Sequence, residues 1–178
     1  MAKKETAFTS SISYRELAQI GRKLAQSKNT KEIASYLRDM KSDDVIAVQR
    51  SAAVIANASD IDTELFKDFI ADFIQIIERN AHRSAPRTIF RILEKLDHIP
   101  EDSLGPVVDI SFRYLNDPKK SIAEKVFAMT VIANQLNRFP ELKYELEASL
   151  SAQFHTGSAG FKSRANNIAA KYDLKLRI

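Results

Sequence analysis

Apolar residues recur every three or four positions along almost the whole chain, which is the period of an amphipathic helix. The first run, Leu17, Ile20 and Leu24, follows Ser13-Tyr-Arg-Glu16, a capping-box pattern, and predicts a helix to about Gln26. Asn29-Thr-Lys-Glu32 starts a short second helix with Ile33, Leu37 and Met40. Ser42-Asp-Asp44 opens a third, with Val45, Val48, Ala52, Val54 and Ile55 packed inward. Asp60-Ile-Asp62 begins a long fourth helix whose broad apolar face runs from Leu65 and Phe66 to Ile77. Its polar positions, Asp62, Glu64, Asp68, Asp72 and Glu78, are mostly acidic and read as a solvated face. A break at Asn80–Ser84, with Pro86 in the next first turn, sets off a fifth helix carrying Ile89, Phe90, Ile92, Leu93 and Leu96. Ile99-Pro100 then turns into a sixth with Leu104, Val107, Val108, Ile110, Phe112 and Leu115.

The organising stretch is Asp117–Arg138 with the Phe139-Pro-Glu-Leu-Lys-Tyr-Glu-Leu146 segment that follows. Pro118 suits a first helical turn and Asp117 a cap, so a seventh helix is predicted from that point. From Val126 to Leu136 it is apolar on nearly every side, the pattern of a helix buried all round. Thr130, Asn134 and Gln135 are its polar interruptions and should hydrogen-bond to neighbouring helices. An eighth helix carries Leu142, Leu146 and Leu150. A last one, with Phe161, Ala165, Ile168, Ala169 and Tyr172, follows the loop His155-Thr-Gly-Ser-Ala-Gly160. No stretch alternates as a strand would, and no Asn-Gly or Asp-Gly hairpin turn occurs, so the class is all-α.

The helices repeat. Aligned on a basic residue near each start, Arg50, Arg87, Lys125 and Arg164 are separated by 37, 38 and 39 residues. Apolar residues recur three and six positions later, at Ala53/Ala56, Phe90/Leu93 and Ala128/Val131, and the last copy departs with Asn167. Similar turns end in Ile61-Asp-Thr-Glu-Leu65, Ile99-Pro-Glu-Asp-Ser-Leu104 and Phe139-Pro-Glu-Leu142. Helix pairs of about 40 residues with an acidic turn and a basic residue in the second helix resemble HEAT-like repeats. The segments Lys125-Val-Phe-Ala-Met, Phe139-Pro-Glu-Leu-Lys and Gly157-Ser-Ala-Gly-Phe-Lys-Ser-Arg164 also resemble small bacterial HEAT-like (ARM-type) proteins. The resemblance implies a right-handed α-α superhelix of about nine helices, a capping helix plus four pairs, with the third, fifth, seventh and ninth as the inner layer. The expected organisation is a flexible N-terminus over residues 1–12 and one repeat domain over 13–178.

Composition narrows the function classes. The chain has 178 residues, 44% hydrophobic, with only 4 Gly and 5 Pro, which suits a folded helical protein. No cysteine is present, so disulfides, thiolate metal sites and a cysteine nucleophile are excluded. His82, His98 and His155 are scattered, without His-x-x-x-His or His-Glu-x-x-His, and no metal or cofactor is expected. The beginning of the chain lacks the apolar run of a signal peptide, and the apolar segment Val126–Ala133 is far short of the roughly 20 residues of a membrane span. A cytoplasmic protein that does not enter a membrane is expected. The net charge of +4 is mild and shared about equally by the halves.

Basic residues are the remaining candidates for chemistry. Arg91 and Lys95 extend Arg87 at helical spacing, and with Lys125 and Arg164 they could hold phosphates through counterion release. Some HEAT-like DNA glycosylases of alkylation repair use a basic concave face in that way, and the chain resembles them remotely. That chemistry also wants a carboxylate and aromatic side chains around the base; Trp is absent and no motif places the carboxylate. The competing reading is a ladder of ion pairs between turn aspartates and repeat arginines, as Asp44 and Arg50 are spaced for. Lys162 and Arg164 after the Gly157–Gly160 loop suggest an anion site at a helix start. The spacing there is not that of a phosphate-binding P-loop, no strand precedes it, and the alternative is a glycine turn with Ser158 as cap. That loop also faintly resembles the signature loop of adenylosuccinate lyases but lacks its Met-Pro.

The leading expectation is a non-enzymatic binding or scaffold module that recognises a protein or peptide on a helical surface. Nucleic-acid binding through Arg87, Arg91, Lys125 and Arg164 is the alternative. An enzyme acting on a phosphorylated small molecule at residues 157–164 is the weaker one.

Overall fold

The computed structural model describes residues 12–177, all of it helix, turn and coil. The flexible N-terminus expected over 1–12 lies outside the described residues but for Ile12. The helices form two compact units, one ending at Ile99 and the other beginning at Pro100.

The first unit holds α1 (Tyr14–Ser27), α2 (Thr30–Asp39), α3 (Val45–Ser59), a 3₁₀ stretch (Thr63–Phe69), α4 (Ile70–Arg79) and α5 (Ser84–Leu93). Local signals set the starts of its first three helices. Ser13 and Glu16 close the predicted capping box, the Glu16 carboxylate accepting from the Ser13 N–H at 2.7 Å. Asn29 accepts from the Lys31 and Glu32 N–H groups, and Asp44 from those of Ile46 and Ala47. α3 packs between α1, α2 and α5, and α2 and α4 touch as the outer members of their pairs. α1 thus caps the first pair. It can do so closely because Gly21 faces α3: a Cβ there would stand 2.7 Å from both Asn57 Cβ and the Val54 carbonyl oxygen. Phe66, Phe73 and Phe90 are fully enclosed in this unit, each worth about 1.5–3 kcal/mol of apolar burial.

The fourth helix differs from expectation. Asp62 makes no side-chain cap, and the chain runs as 3₁₀ helix until Phe69 breaks it with φ −107° and ψ 17°. The tighter winding has a packing result, since it seats Phe66 in the core. Thr63 helps by donating its hydroxyl to the Ser59 carbonyl at 2.8 Å, which ties the stretch to the end of α3.

The second unit holds α6 (Glu101–Asn116), α7 (Ile122–Ala133), α8 (Leu142–Phe154) and α9 (Ala159–Tyr172). α7 packs against α6, α8 and α9, and no residue from Ala123 to Leu136 is exposed, so the reading of a helix buried all round holds. Its start does not. α7 begins at Ile122, where Ser121 and Glu124 form a second capping box with the Glu124 carboxylate 2.8 Å from the Ser121 N–H. Asp117 instead ends α6 and accepts from the Lys119 N–H at 2.8 Å, turning the chain through Pro118. The core of this unit gathers Phe112, Leu115, Met129, Ile132, Leu146 and Leu150 with Phe161 and Ile168.

Candidate functional site

Both arginines predicted on the fifth helix lie on α5, and their surroundings differ. Arg87 is exposed. Arg91 donates to both carboxylate oxygens of Asp60 at 2.8 and 2.9 Å, and Lys95 reaches the same carboxylate at 2.9 Å. Asp60 is the C-cap of α3, so these bonds tie the end of one inner helix to the next. This is a ladder arrangement built on Asp60, while Asp44 caps α3 through the Ile46 and Ala47 N–H groups. Arg79 and Asp43, at 2.6 Å, and Lys41 and Asp72, at 2.8 Å, bridge the pairs in the same unit. His82 is also engaged in structure, its Nδ1 accepting from the Ser84 N–H at the start of α5.

In the second unit, Lys125 donates to Gln153 Oε1 at 2.6 Å, and Gln153 passes its own amide to the Leu115 carbonyl at 3.0 Å. Burial holds the Lys125 ammonium below its ordinary pKa, an effect partly countered by Asp117. The recess beside Lys125 includes Lys120, Thr156 and Ser158, but neither Lys162 nor Arg164 lines it. Arg164 donates to Thr130 Oγ1 at 2.8 Å, which joins α9 to the polar interruption of α7. The Lys162 ammonium stands 5.9 Å from the centre of the Phe154 ring. Ser158 caps α9 through the Phe161 N–H, and a Cβ at Gly157 would meet the Phe161 ring at 2.7 Å. That glycine therefore has a packing reason to be there. The structure does not gather Lys125, Lys162 and Arg164 into one recess.

It does form a groove that the sequence reading left unassigned. α6 and α8 both pack on α7 and enclose about 420 Å³ of open space between them. The floor is apolar: Leu104, Val108 and Phe112 along one stripe of α6, with Phe139 and Leu142 opposite. Glu101 and Asp109 stand on the α6 edge, Glu141 and Glu145 on the α8 edge, and all four are exposed. Arg138 pairs with Glu101 at 2.9 Å and Arg113 with Asp109 at 3.1 Å. Glu141 and Glu145 have no ion pair among the described residues. Glu141 is the N-cap of α8 and Glu145 lies in its first turn, where the helix dipole favours negative charge. Gly105 lies in the floor, and a Cβ there would meet nothing within 4 Å. In the sequence these α6 residues form only an apolar run, and the groove arises from how α6 and α8 are set on α7.

Two tyrosines sit where burial disfavours their ionised form. Tyr114 is held well above the ordinary tyrosine pKa, first by burial and then by the nearby Glu124 and Asp117 carboxylates. Tyr36 is raised by burial and then by Glu32 and Asp39. Among the described residues no three His, Asp or Glu side chains stand together as a metal site requires, and no helix is long and apolar enough to cross a membrane.

The HEAT repeat domain family matches the chain over residues 5–172. That match carries no likeness to the alkylation-repair glycosylases. No curated protein and no solved structure matches.

Proposed function

The chain belongs to the HEAT repeat domain family, and from that premise we propose that it is a binding module for a protein or peptide partner. The observation that carries the reading is the α6–α8 groove, where half-buried Val108, Phe139 and Leu142 lie between two acidic edges above the buried Leu104 and Phe112. Apolar surface of this kind, rimmed by polar groups, is what a protein partner covers. The family's repeats lend themselves to such use, because stacked helix pairs present long surfaces. Arg91 and Lys95 already share the Asp60 carboxylate, which lowers what the α5 strip offers to a phosphate backbone.

The test is affinity capture with the full chain from a nuclease-treated lysate, followed by titration of the purified captured protein against the chain. Saturable, equimolar binding supports the reading. Capture that occurs only from a parallel lysate left without nuclease would turn it towards nucleic acid, for which the exposed Arg87 is the position to examine.

A further inference from the structure

We infer that the α6–α8 groove docks a basic amphipathic helix of the partner, an assignment that rests on the protein-binding reading above. Leu104, Val108 and Phe112 repeat every four residues along α6, so the apolar floor is a stripe parallel to a helix axis. From Leu104 to Phe112 that stripe spans about 12 Å at 1.5 Å per residue, the length of a little over two helical turns. A second helix laid along it places apolar residues at i, i+3 or i+4, and i+7 into the floor. The open space above Gly105 admits one of them close to the α6 backbone.

Charge selects the partner's flanks. Carboxylates border the floor on both sides, and Glu141 and Glu145 have no internal counter-ion among the described residues. A partner helix with Lys or Arg on either side of its apolar stripe meets a carboxylate at each edge. An acidic helix or a phosphate backbone meets like charge there. Glu101 and Asp109 carry arginine partners at 2.9 and 3.1 Å, so the unpaired attraction comes mainly from the α8 edge.

The experiment uses the full chain and labelled helical peptides of about 18 residues, with leucines at the i, i+3, i+4, i+7 positions and lysines elsewhere. A peptide with glutamate for every lysine and a scrambled lysine–leucine peptide are the comparisons, and binding is read by anisotropy. The expected result is micromolar binding of the patterned lysine peptide, weaker by about tenfold for either comparison and weakened by salt. Gly105→Leu fills the floor and should cost about tenfold in affinity while circular dichroism shows the helix content intact. Glu141→Lys/Glu145→Lys, two exposed changes, should weaken the lysine peptide and strengthen the glutamate one.

Equal binding of the two charged peptides, or lysine-peptide binding untouched by both variants, overturns the inference. So does wild-type dimerisation in sedimentation that Gly105→Leu abolishes, because the occupant is then a second copy. A captured protein that binds Gly105→Leu and the charge variant as tightly as wild type overturns the groove assignment and leaves the protein-binding reading standing. Failure to find any protein ligand overturns both.

Discussion

Replacing Gly21 or Gly105 by alanine adds the same methyl group to a helix, and the two sites predict different outcomes. At Gly21 the methyl would meet the α3 backbone at 2.7 Å, so α1 must retreat. Overpacking of that kind costs about 1–3 kcal/mol, more than the roughly 1 kcal/mol that alanine gains in helix propensity. At Gly105 the methyl meets open space, and the propensity gain is set against the crowding that a residue before proline suffers in a helix, here from Pro106. Urea unfolding should show a loss for Gly21→Ala and a change within about 0.5 kcal/mol for Gly105→Ala. Ser51 is a third test. Its hydroxyl is fully buried in α3 with no hydrogen-bond partner, so Ser51→Ala should leave stability unchanged or raise it by about 1 kcal/mol.

Tyr114 predicts a pH dependence whose sign is fixed. Its folded pKa lies above the unfolded value of about 10, so its contribution is fully present below pH 10 and is lost as the pH rises past that point. The alkaline fall in stability should be shallower in Tyr114→Phe, and tyrosinate absorbance of the folded protein should show late titration that the variant lacks. The glycine contacts, the orphaned hydroxyl and the tyrosine environment were not legible in the sequence. Each depends on what a helix distant in the chain places opposite it.

Helix existence was legible almost throughout, and the start signals that failed have local explanations. Ser13, Asn29, Asp44 and Ser158 cap the helices they were predicted to cap. Asp117-Pro118 offered a plausible start, yet the Ser121–Glu124 capping box four residues later satisfies more donors and sets the helix there. Ser121→Ala should therefore cost about 1 kcal/mol in thermal or urea unfolding. Pro118→Ala, outside the helix and exposed, should stay within about 0.5 kcal/mol. The long fourth helix was misread in its first half because periodicity alone does not distinguish α from 3₁₀ winding over so short a run; the seating of Phe66 settles it. The groove escaped for a related reason. Leu104, Val108 and Phe112 read simply as core, and so Leu104 and Phe112 are; only the spacing of α6 and α8 on α7 leaves Val108 half-buried at the groove.

For the molecule as a whole, the repeat offsets pointed to the family that the match over residues 5–172 establishes. Net charge told less, because a balance of +4 conceals where the charges are paired. The basic residues chosen as a phosphate strip share a sequence pattern, but Arg91 is held by Asp60, Lys125 by Gln153 and Arg164 by Thr130. Acidic residues, read as solvated faces, supply the edges of the groove.

The central claim is that this molecule engages protein and not nucleic acid. Its most direct test is fluorescence anisotropy of labelled single- and double-stranded DNA and RNA at about 50 mM salt, with Arg87→Glu/Arg91→Glu beside wild type. Neither protein is expected to bind saturably at micromolar concentration. Salt-sensitive binding by wild type that the variant loses would contradict it and place function on α5.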